Sequence, residues 1–177
     1  MAKSKRMTAE EHEAILRADP EWVRRDAERE AKLKREEAEL NAEEQPLVRD
    51  LLDAGFIVDS VWDAVNSSQS YAAAIPVLTK HLLLPYHTRI REGIARALTV
   101  KEARGAAARV ILDELKRRTQ PDEQGEFRWT LANALTVAGD KTMADEIKAL
   151  LADERYQDIH DWLQRVLNKI KRTKPIA

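Results

Sequence analysis

The sequence predicts an all-α protein: a right-handed α-solenoid of about three helical pairs, preceded by a long charged helix. The main observation is that three segments repeat one apolar pattern, at their first, fifth, eighth and ninth positions: Ile90–Thr99, Phe127–Thr136 and Ile159–Asn168. This spacing places the apolar residues on one face of an α-helix. The second observation is that no segment alternates apolar and polar residues with the period of two that is typical of β-strands.

A second helical stripe precedes each of these segments, so the repeating unit has two helices. The stripe has apolar residues at i, i+3 and i+7, and its three copies are Ile75, Leu78, Leu82, then Ala108, Ile111, Leu115, then Ala144, Ile147, Leu151. Both stripes recur after about 35 residues, a period typical of stacked helical arrays, in which one unit cannot bury its apolar face alone. The predicted helical pairs are 71–84 with 87–98, 103–118 with 124–138, and 141–152 with 156–171.

Composition excludes several classes of protein. The chain has 177 residues, of which 44% are hydrophobic and 34% charged, enough for one helical domain with an arm. Its 31 acidic and 30 basic residues nearly cancel, which argues against nucleic acid as the partner. There are no cysteines, hence no disulfides and no thiolate metal site. Neither a secretory signal nor a membrane span is apparent, so we expect a cytoplasmic protein.

The chain divides by residue composition into three parts: a charged helical arm (1–45), the repeat domain (46–171) and a basic tail (172–177). A capping box at Thr8–Glu11 begins a short helix, and Asp19-Pro20 interrupts it. A long exposed helix is expected from Glu21 to Glu44, with opposite charges paired at i, i+4. These pairs are Glu28–Lys32, Glu30–Lys34, Lys32–Glu36 and Arg35–Glu39.

The arm has a thin apolar edge with two possible uses. The edge consists of Trp22, Val23, Leu33 and Leu40. Leu33, Leu40 and Leu47 are spaced by seven, but Pro46 interrupts the run, and a coiled coil needs about three to four heptads. We therefore favour packing of the arm as a flank of the array, with Trp22 docking it, over dimerisation, and expect a monomer or weak dimer.

Two further helices are predicted between the arm and the first pair. A helix over 46–54 is closed by Gly55 in the usual C-terminal capping position. A short helix follows, capped by Asp59, in which Trp62 and Val65 are expected to belong to the core.

Several segments carry a resemblance to a known family. They are EQPLVRDLLDAGF, DSVWDAVNSS, AAAIPVLTKHLLLPYHTRIREGIARALTV and FRWTLANALTVAGD, within about residues 20–155. The pairs resemble HEAT repeats, with Pro76 early in a first helix and Arg91 and Arg128 near the start of second helices. More specifically, the segments resemble small uncharacterised bacterial HEAT-repeat-like proteins. The resemblance implies the solenoid fold and a bacterial cytosolic setting, but no activity. His160 replaces the arginine in the last unit, which we interpret as a cap.

Alignment of the three second helices gives three columns of candidate partner-binding residues. In HEAT-like arrays these helices line the concave surface, and arginine and tryptophan are over-represented in interface hot spots. The columns are Arg91, Arg128 and His160; Glu92, Trp129 and Asp161; and Arg96, Asn133 and Arg165. The alternatives are structural, because Glu92–Arg96 and Asp161–Arg165 have the spacing of solvated ion pairs. Arg91 and Arg128 could instead brace neighbouring repeats.

The tryptophans have their own alternatives. Trp129 lies off the apolar stripe of its helix, and could be an exposed anchor or pack under the loop at 119–125. Trp162 is expected in the core or in the end cap.

No catalytic residue, cofactor or metal ligand is predicted. The histidines are His12, His81, His87 and His160, and no two have metal-binding spacing. We expect His81 to act on a helix C-terminus as a cation. No glycine-rich phosphate loop or nucleophile motif is found.

These observations favour a non-enzymatic protein-interaction module, either an adaptor or an immunity-type toxin binder, with a protein partner of unknown identity. Two other classes stay open. One is a nucleic-acid-binding or DNA-glycosylase-like array, for which the basic ends 2–6 and 169–174 would be contacts. The other is a structural protein that oligomerises through its N-terminal helix.

Overall fold

The computed structural model describes residues 8–120 and 126–173, and every regular element within these ranges is helical. This confirms the all-α prediction. The helices, with bounds, are α1 (Ala9–Ala18), α2 (Pro20–Asp53), α3 (Val61–Val65), α4 (Ile75–Leu82), α5 (Thr88–Ala97), α6 (Ala106–Arg117), α7 (Glu126–Ala138), α8 (Ala144–Leu151) and α9 (His160–Ile170). Short 3₁₀ turns precede α4, α6, α8 and α9. The chain forms two compact units that divide between Ala42 and Glu43, close to the predicted boundary of the arm.

The N-terminal unit is a solvated helical segment. Two of its predicted i, i+4 ion pairs are formed: Glu30–Lys34 at 2.9 Å and Lys32–Glu36 at 3.6 Å. The hydrogen bond from Lys34 lowers the pKa of the Glu30 carboxyl below its ordinary value. Within the apolar edge, Val23 and Leu33 are exposed, whereas Trp22 and Leu40 are half-buried.

Helix α2 corrects one boundary, because it continues through Pro46 instead of restarting there. A proline inside a helix lacks the N–H that would bond the carbonyl four residues earlier, which is that of Ala42. Ala42 and Pro46 are both exposed, so water can solvate this carbonyl. Beyond the proline, Leu47 and Leu51 are fully buried, and their packing holds the helix in register.

Helix α3 begins one residue later than predicted, with Ser60 and not Asp59 as its cap. The Ser60 hydroxyl accepts from the N–H of Trp62, and the Asp63 carboxylate accepts from the N–H of Ser60. Glu44 adds a second constraint, since its buried carboxylate accepts from the N–H of Val61 at 2.6 Å. Gly55 ends α2 at a φ of 82°, as the cap prediction required.

In the second unit, the second helices of successive pairs lie side by side. Helix α3 contacts α5, α5 contacts α7, and α7 contacts α9, while α4, α6 and α8 each pack on the helix that follows them. All twelve residues of the second-helix stripe are buried. The core therefore lies between the layer of second helices and the layer of first helices.

The last pair departs from the predicted stripe. In α8 and the residue before it, the buried positions are Met143, Ile147 and Leu150, whereas Ala144 and Leu151 are only half-buried. The equivalent positions are also buried in the first and second pairs, so α8 keeps one side of the broader buried face that α4 and α6 have. It is the last of the first helices in the described chain, so it lacks the following neighbour that buries a full stripe in the others.

Two glycines permit close packing of helices. A Cβ on Gly93 of α5 would lie 2.5 Å from Cγ1 of Val61 in α3, and one on Gly139 would lie 2.9 Å from Cγ2 of Ile170 in α9. Both contacts are closer than a side chain can approach without displacing its neighbour.

Candidate partner-binding surface

The first predicted column is mostly internal. Arg91 is nearly buried and Arg128 is fully buried, so neither guanidinium is accessible to a partner in this structure. His160 is half-buried, with its Nδ1 3.9 Å from Oδ1 of Asp161. For Arg91 and Arg128 the partner-binding assignment is corrected by their burial.

Arg91 braces one pair against the next. Its Nη2 donates to the Leu82 carbonyl at the end of α4, at 3.0 Å, and to the carboxylate of Glu114 in α6, at 2.6 Å. Its guanidinium also lies 4.7 Å from the ring centroid of Phe127, with Arg118 near the same ring at 5.2 Å. The arginine therefore ties α5 to α4, α6 and α7 through groups that are all buried or half-buried.

Arg128 repeats this arrangement one unit later. Its Nη2 donates to the Arg155 carbonyl at 2.6 Å, and its Nη1 lies 3.2 Å from the Asp158 carboxylate. The ring of Tyr156 is 4.6 Å from the guanidinium, and its hydroxyl donates to the Lys116 carbonyl at 2.8 Å. The two arginines are thus equivalent braces between repeats, the second of the two roles that the sequence left open.

The other two columns are partly accessible. In the second, Glu92 is buried, Trp129 is half-buried, and the Asp161 side chain is 96% exposed. The burial of Glu92 removes it from the candidate surface, because a buried carboxylate on α5 cannot meet a partner. In the third column, Arg96 and Asn133 are half-buried and Arg165 is exposed.

Five side chains from four helices form a continuous row, here named the aromatic–arginine row. Its members, in order, are Trp62 (α3), Arg96 (α5), Trp129 (α7), Trp162 (α9) and Arg165 (α9). The Arg96 guanidinium lies 5.9 Å from the Trp62 ring centroid and 5.0 Å from that of Trp129. Trp129 and Trp162 meet edge to face at 5.1 Å, and Arg165 lies 4.4 Å from Trp162. The geometry is that of cation–π and T-shaped aromatic pairs.

Sequence reasoning found only part of this row. Trp62 and Val65 were expected in the core, and Trp162 in the core or the end cap; all three are half-buried. Trp129 packs against Trp162 and Arg96, which neither of its two predicted environments included. Columns drawn from three helices omitted α3, because this five-residue helix does not carry the full stripe. The available signal was that Trp129 and Trp162 both lie on second helices and that Trp62 lies on the short helix before the first pair.

A polar cleft of about 320 Å³ adjoins the row at Arg96. Its wall is formed by the loop after α3 and the end of α5: Val65, Ser67, Ser68, Gln69, Ser70, Tyr71, Arg96, Thr99, Val100 and Glu102. Burial, and then the Glu102 carboxylate, raise the pKa of Tyr71 above its ordinary value. Its hydroxyl is therefore neutral and donates to the Ala97 carbonyl at 2.8 Å.

A basic groove of about 510 Å³ adjoins the other end of the row. It is lined by Arg165, Asn168, Lys169, Lys171 and Arg172, so its charged lining residues are all cationic. The row thus runs from a polar cleft with one arginine and one carboxylate to a groove of one sign, a surface complementary to anionic groups. Lys174, the last residue of the predicted basic segment, lies outside the described residues.

A buried histidine cluster lies elsewhere, against the end of α2. His81 is 2% exposed; its Nε2 lies 2.8 Å from Oδ2 of Asp50, and its Nδ1 lies 2.8 Å from the Tyr86 hydroxyl. Hydrogen bonds from His81 and Lys80 lower the pKa of the Asp50 carboxyl to about 2. A proton on Nε2 would be donated to Asp50 and leave Nδ1 to accept from the Tyr86 hydroxyl, and these two contacts tie α4 to the end of α2.

Within residues 8–120 and 126–173, no cluster of three or more potential metal-ligand side chains is formed. Within the same ranges, none of the helices combines the length and the apolar content that crossing a bilayer requires.

Comparison of the chain with family models, with curated proteins and with solved structures found no match in any of the three.

Proposed function

We propose that this chain is a HEAT-like right-handed α-solenoid that acts as a non-enzymatic protein-interaction module, binding a protein partner through the aromatic–arginine row. The supporting observation is the row itself, which places three tryptophans and two arginines on one line across four helices. These residue types dominate hot spots because they combine a large apolar area with a polar or charged group.

The rigidity of the row supports binding. Trp62, Arg96, Trp129 and Trp162 are each half-buried and in contact with a neighbour, so their rotamers are fixed before a partner arrives. Each immobilised side chain avoids an ordering cost of about 0.5–1.5 kcal/mol on association. The braces at Arg91 and Arg128 fix the helices that carry the row.

Site-specific photo-crosslinking tests this function. Benzoylphenylalanine replaces Trp162, with the same residue at Ala149, an exposed position on α8, as the matched control. We expect a discrete protein adduct in a bacterial lysate from position 162 that is absent from position 149 and reduced by Arg165→Glu in the same chain. Equal labelling from both positions, or adducts with nucleic acid alone, contradicts the proposal.

A second candidate function is nucleic-acid binding, favoured by the basic groove beside Trp162 and Arg165. Aromatic rings next to a cationic groove are the usual combination for single-stranded nucleic acid. A gel shift with single-stranded oligonucleotide that weakens steeply with salt would support it.

Oligomerisation through the N-terminal unit, where Leu33 is 56% exposed, would appear as a dimer in sedimentation that Leu33→Lys abolishes.

A further inference from the structure

The Arg96 guanidinium has an unsatisfied N–H group within the described chain. Its Nε is buried and makes no hydrogen bond within the described chain. Its contacts along the row are with the rings of Trp62 and Trp129. Aromatic rings interact with the face of a guanidinium and leave its N–H groups, which lie in the plane, without acceptors. A planar acceptor with two oxygens completes such a group best.

The cleft beside Arg96 has the size and lining for that acceptor. Its 320 Å³ corresponds to about ten waters at roughly 30 Å³ each, enough for one extended side chain. Ser68 lines it and supplies a hydroxyl donor, whereas the hydroxyls of Ser67 and Thr99 donate to the carbonyls of Gln69 and Ala95. The carboxylate of Glu102 is also present, and accepts from the Ser70 hydroxyl at 3.4 Å.

The basic residues at the other end of the row from Arg96 indicate that the ligand carries more than one anionic group. Arg165 and Lys169 follow Trp162 on α9, Lys171 and Arg172 lie just beyond its end, and the exposed carboxylate of Asp161 lies on the same helix. A single terminal carboxylate would use the cleft and leave this basic groove empty. An extended chain with several carboxylates would use both, with apolar side chains against Trp129 and Trp162 between them.

We propose that the aromatic–arginine row binds an extended acidic segment of its partner protein. One aspartate or glutamate carboxylate is held by Arg96 in the cleft, and further carboxylates lie along the basic groove. This inference rests on the proposed protein-binding function and gives the partner its chemistry. Arg96 sets the register of the segment, because it is the row's arginine at the mouth of a cleft. Arg165 and the lysines of the basic groove contribute attraction that is screened by salt.

Fluorescence anisotropy with defined probes tests the chemistry. The probe is a fluorescein-labelled peptide of repeated Glu-Glu-Leu units; matched probes are repeated Gln-Gln-Leu, repeated Lys-Lys-Leu and a single-stranded oligonucleotide. We expect the intact chain to bind the glutamate peptide and to bind neither the glutamine nor the lysine peptide measurably. Equal binding of the glutamate and glutamine peptides overturns the inference, and so does tighter binding of the oligonucleotide.

Matched variants then locate the carboxylate. Arg96→Gln should weaken binding of the glutamate peptide about tenfold or more, as expected for a lost charge-assisted hydrogen bond. Arg89→Gln removes the same charge from an exposed position of the same helix and should change affinity less than about twofold. Arg96→Lys, which keeps the charge without the planar fork, should fall between them. Equal effects of Arg96→Gln and Arg89→Gln would show non-specific attraction and overturn the proposal.

The outcome for the segment is separable from that for the function. A protein adduct at position 162, together with no binding of the glutamate peptide, retains the interaction module and removes the acidic segment. Absence of both the protein adduct and the peptide binding removes the interaction module as well as the acidic segment. If Arg96→Gln does not fold by circular dichroism, Arg165→Gln in the exposed groove serves instead, with an expected loss of about threefold to tenfold and the same Arg89→Gln control.

Discussion

The guanidinium of Arg91 and the carboxylate of Glu114 form a buried ion pair at 2.6 Å, and the side chains are 10% and 6% exposed. The same carboxylate accepts from Arg118 at 2.9 Å, so one acidic group on α6 holds two arginines at the interface between pairs. Removal of a single partner from such a group leaves uncompensated buried charge, which costs more than the intact pair contributes.

Substitution of Glu114 should therefore be strongly destabilising. We expect Glu114→Leu to lower the free energy of unfolding by about 3–5 kcal/mol, since Arg91 is left buried and unpaired. Urea denaturation followed by circular dichroism measures the change. Arg117→Ala is the control, because Arg117 is 65% exposed and reaches Glu114 only at 3.5 Å, so it should cost less than about 1 kcal/mol. Similar losses for the two variants would contradict the bracing role.

The decrease in the free energy of unfolding at acid pH should depend on Asp50. The pKa of this carboxyl is lowered to about 2 by hydrogen bonds from His81 and Lys80, below the value near 3.8 that it has without these partners. A lowered native pKa means that the carboxylate stabilises the fold above about pH 4, and that this contribution is lost as pH falls from there towards 2. Unfolding free energies measured across this interval should fall more steeply for the intact chain than for Asp50→Asn.

Asp53→Asn is the matched control for that experiment. Asp53 lies three residues further along α2 and is exposed. Its variant should follow the intact chain through the acid interval. If Asp50→Asn shows the same slope as Asp53→Asn, the histidine tie does not contribute to stability.

The close approach of α3 and α5 gives a steric prediction. A methyl group on Gly93 would lie 2.5 Å from Cγ1 of Val61 and 3.2 Å from Cε2 of Trp62. Gly93→Ala should therefore destabilise the fold by about 1–3 kcal/mol, despite the better helix propensity of alanine. It should also displace Trp62, which a change in tryptophan emission would report.

A double-mutant cycle distinguishes this clash from a general effect on the helix. In a Val61→Ala background the offending methyl group is absent, so adding Gly93→Ala should cost less than it does in the intact chain. An equal cost in both backgrounds would show that the contact with Val61 is not the cause.

The sequence predicted the helices and the core well because both follow from periodicity. The stripe of Ile94, Leu131 and Leu163 is buried throughout, as its spacing required. Periodicity does not specify which polar residue on a helix turns inward, and Arg91 and Arg128 point into the fold because carbonyl and carboxylate acceptors lie there. These acceptors belong to distant segments, so no local pattern indicated them.

The row was predicted in part for a related reason. Arg96 and Trp129 were candidate residues from their columns, but their contact with each other depends on how far α5 and α7 are offset along their axes. Trp62 was assigned to the core, and Trp162 to the core or the end cap, each from the pattern of its own helix. Half-burial of a tryptophan is set by the neighbouring helix, here Trp129 for Trp162 at 5.1 Å, and helix packing of this kind is not encoded in one helix.

Replacement of Pro46 should stabilise the chain, in contrast to the other variants. Helix α2 runs from Pro20 to Asp53 with Pro46 inside it, so the Ala42 carbonyl lacks its helical donor. Pro46→Ala restores that N–H and should raise the free energy of unfolding by about 1–3 kcal/mol, the difference in helix propensity less the entropy that proline removes from the unfolded chain. Urea denaturation gives the change, and hydrogen exchange of the amide that the substitution introduces at this position should show protection. Gln45→Ala, an exposed neighbour, is the control, and a stability that falls on replacing Pro46 would mean that the proline stabilises this turn of the helix.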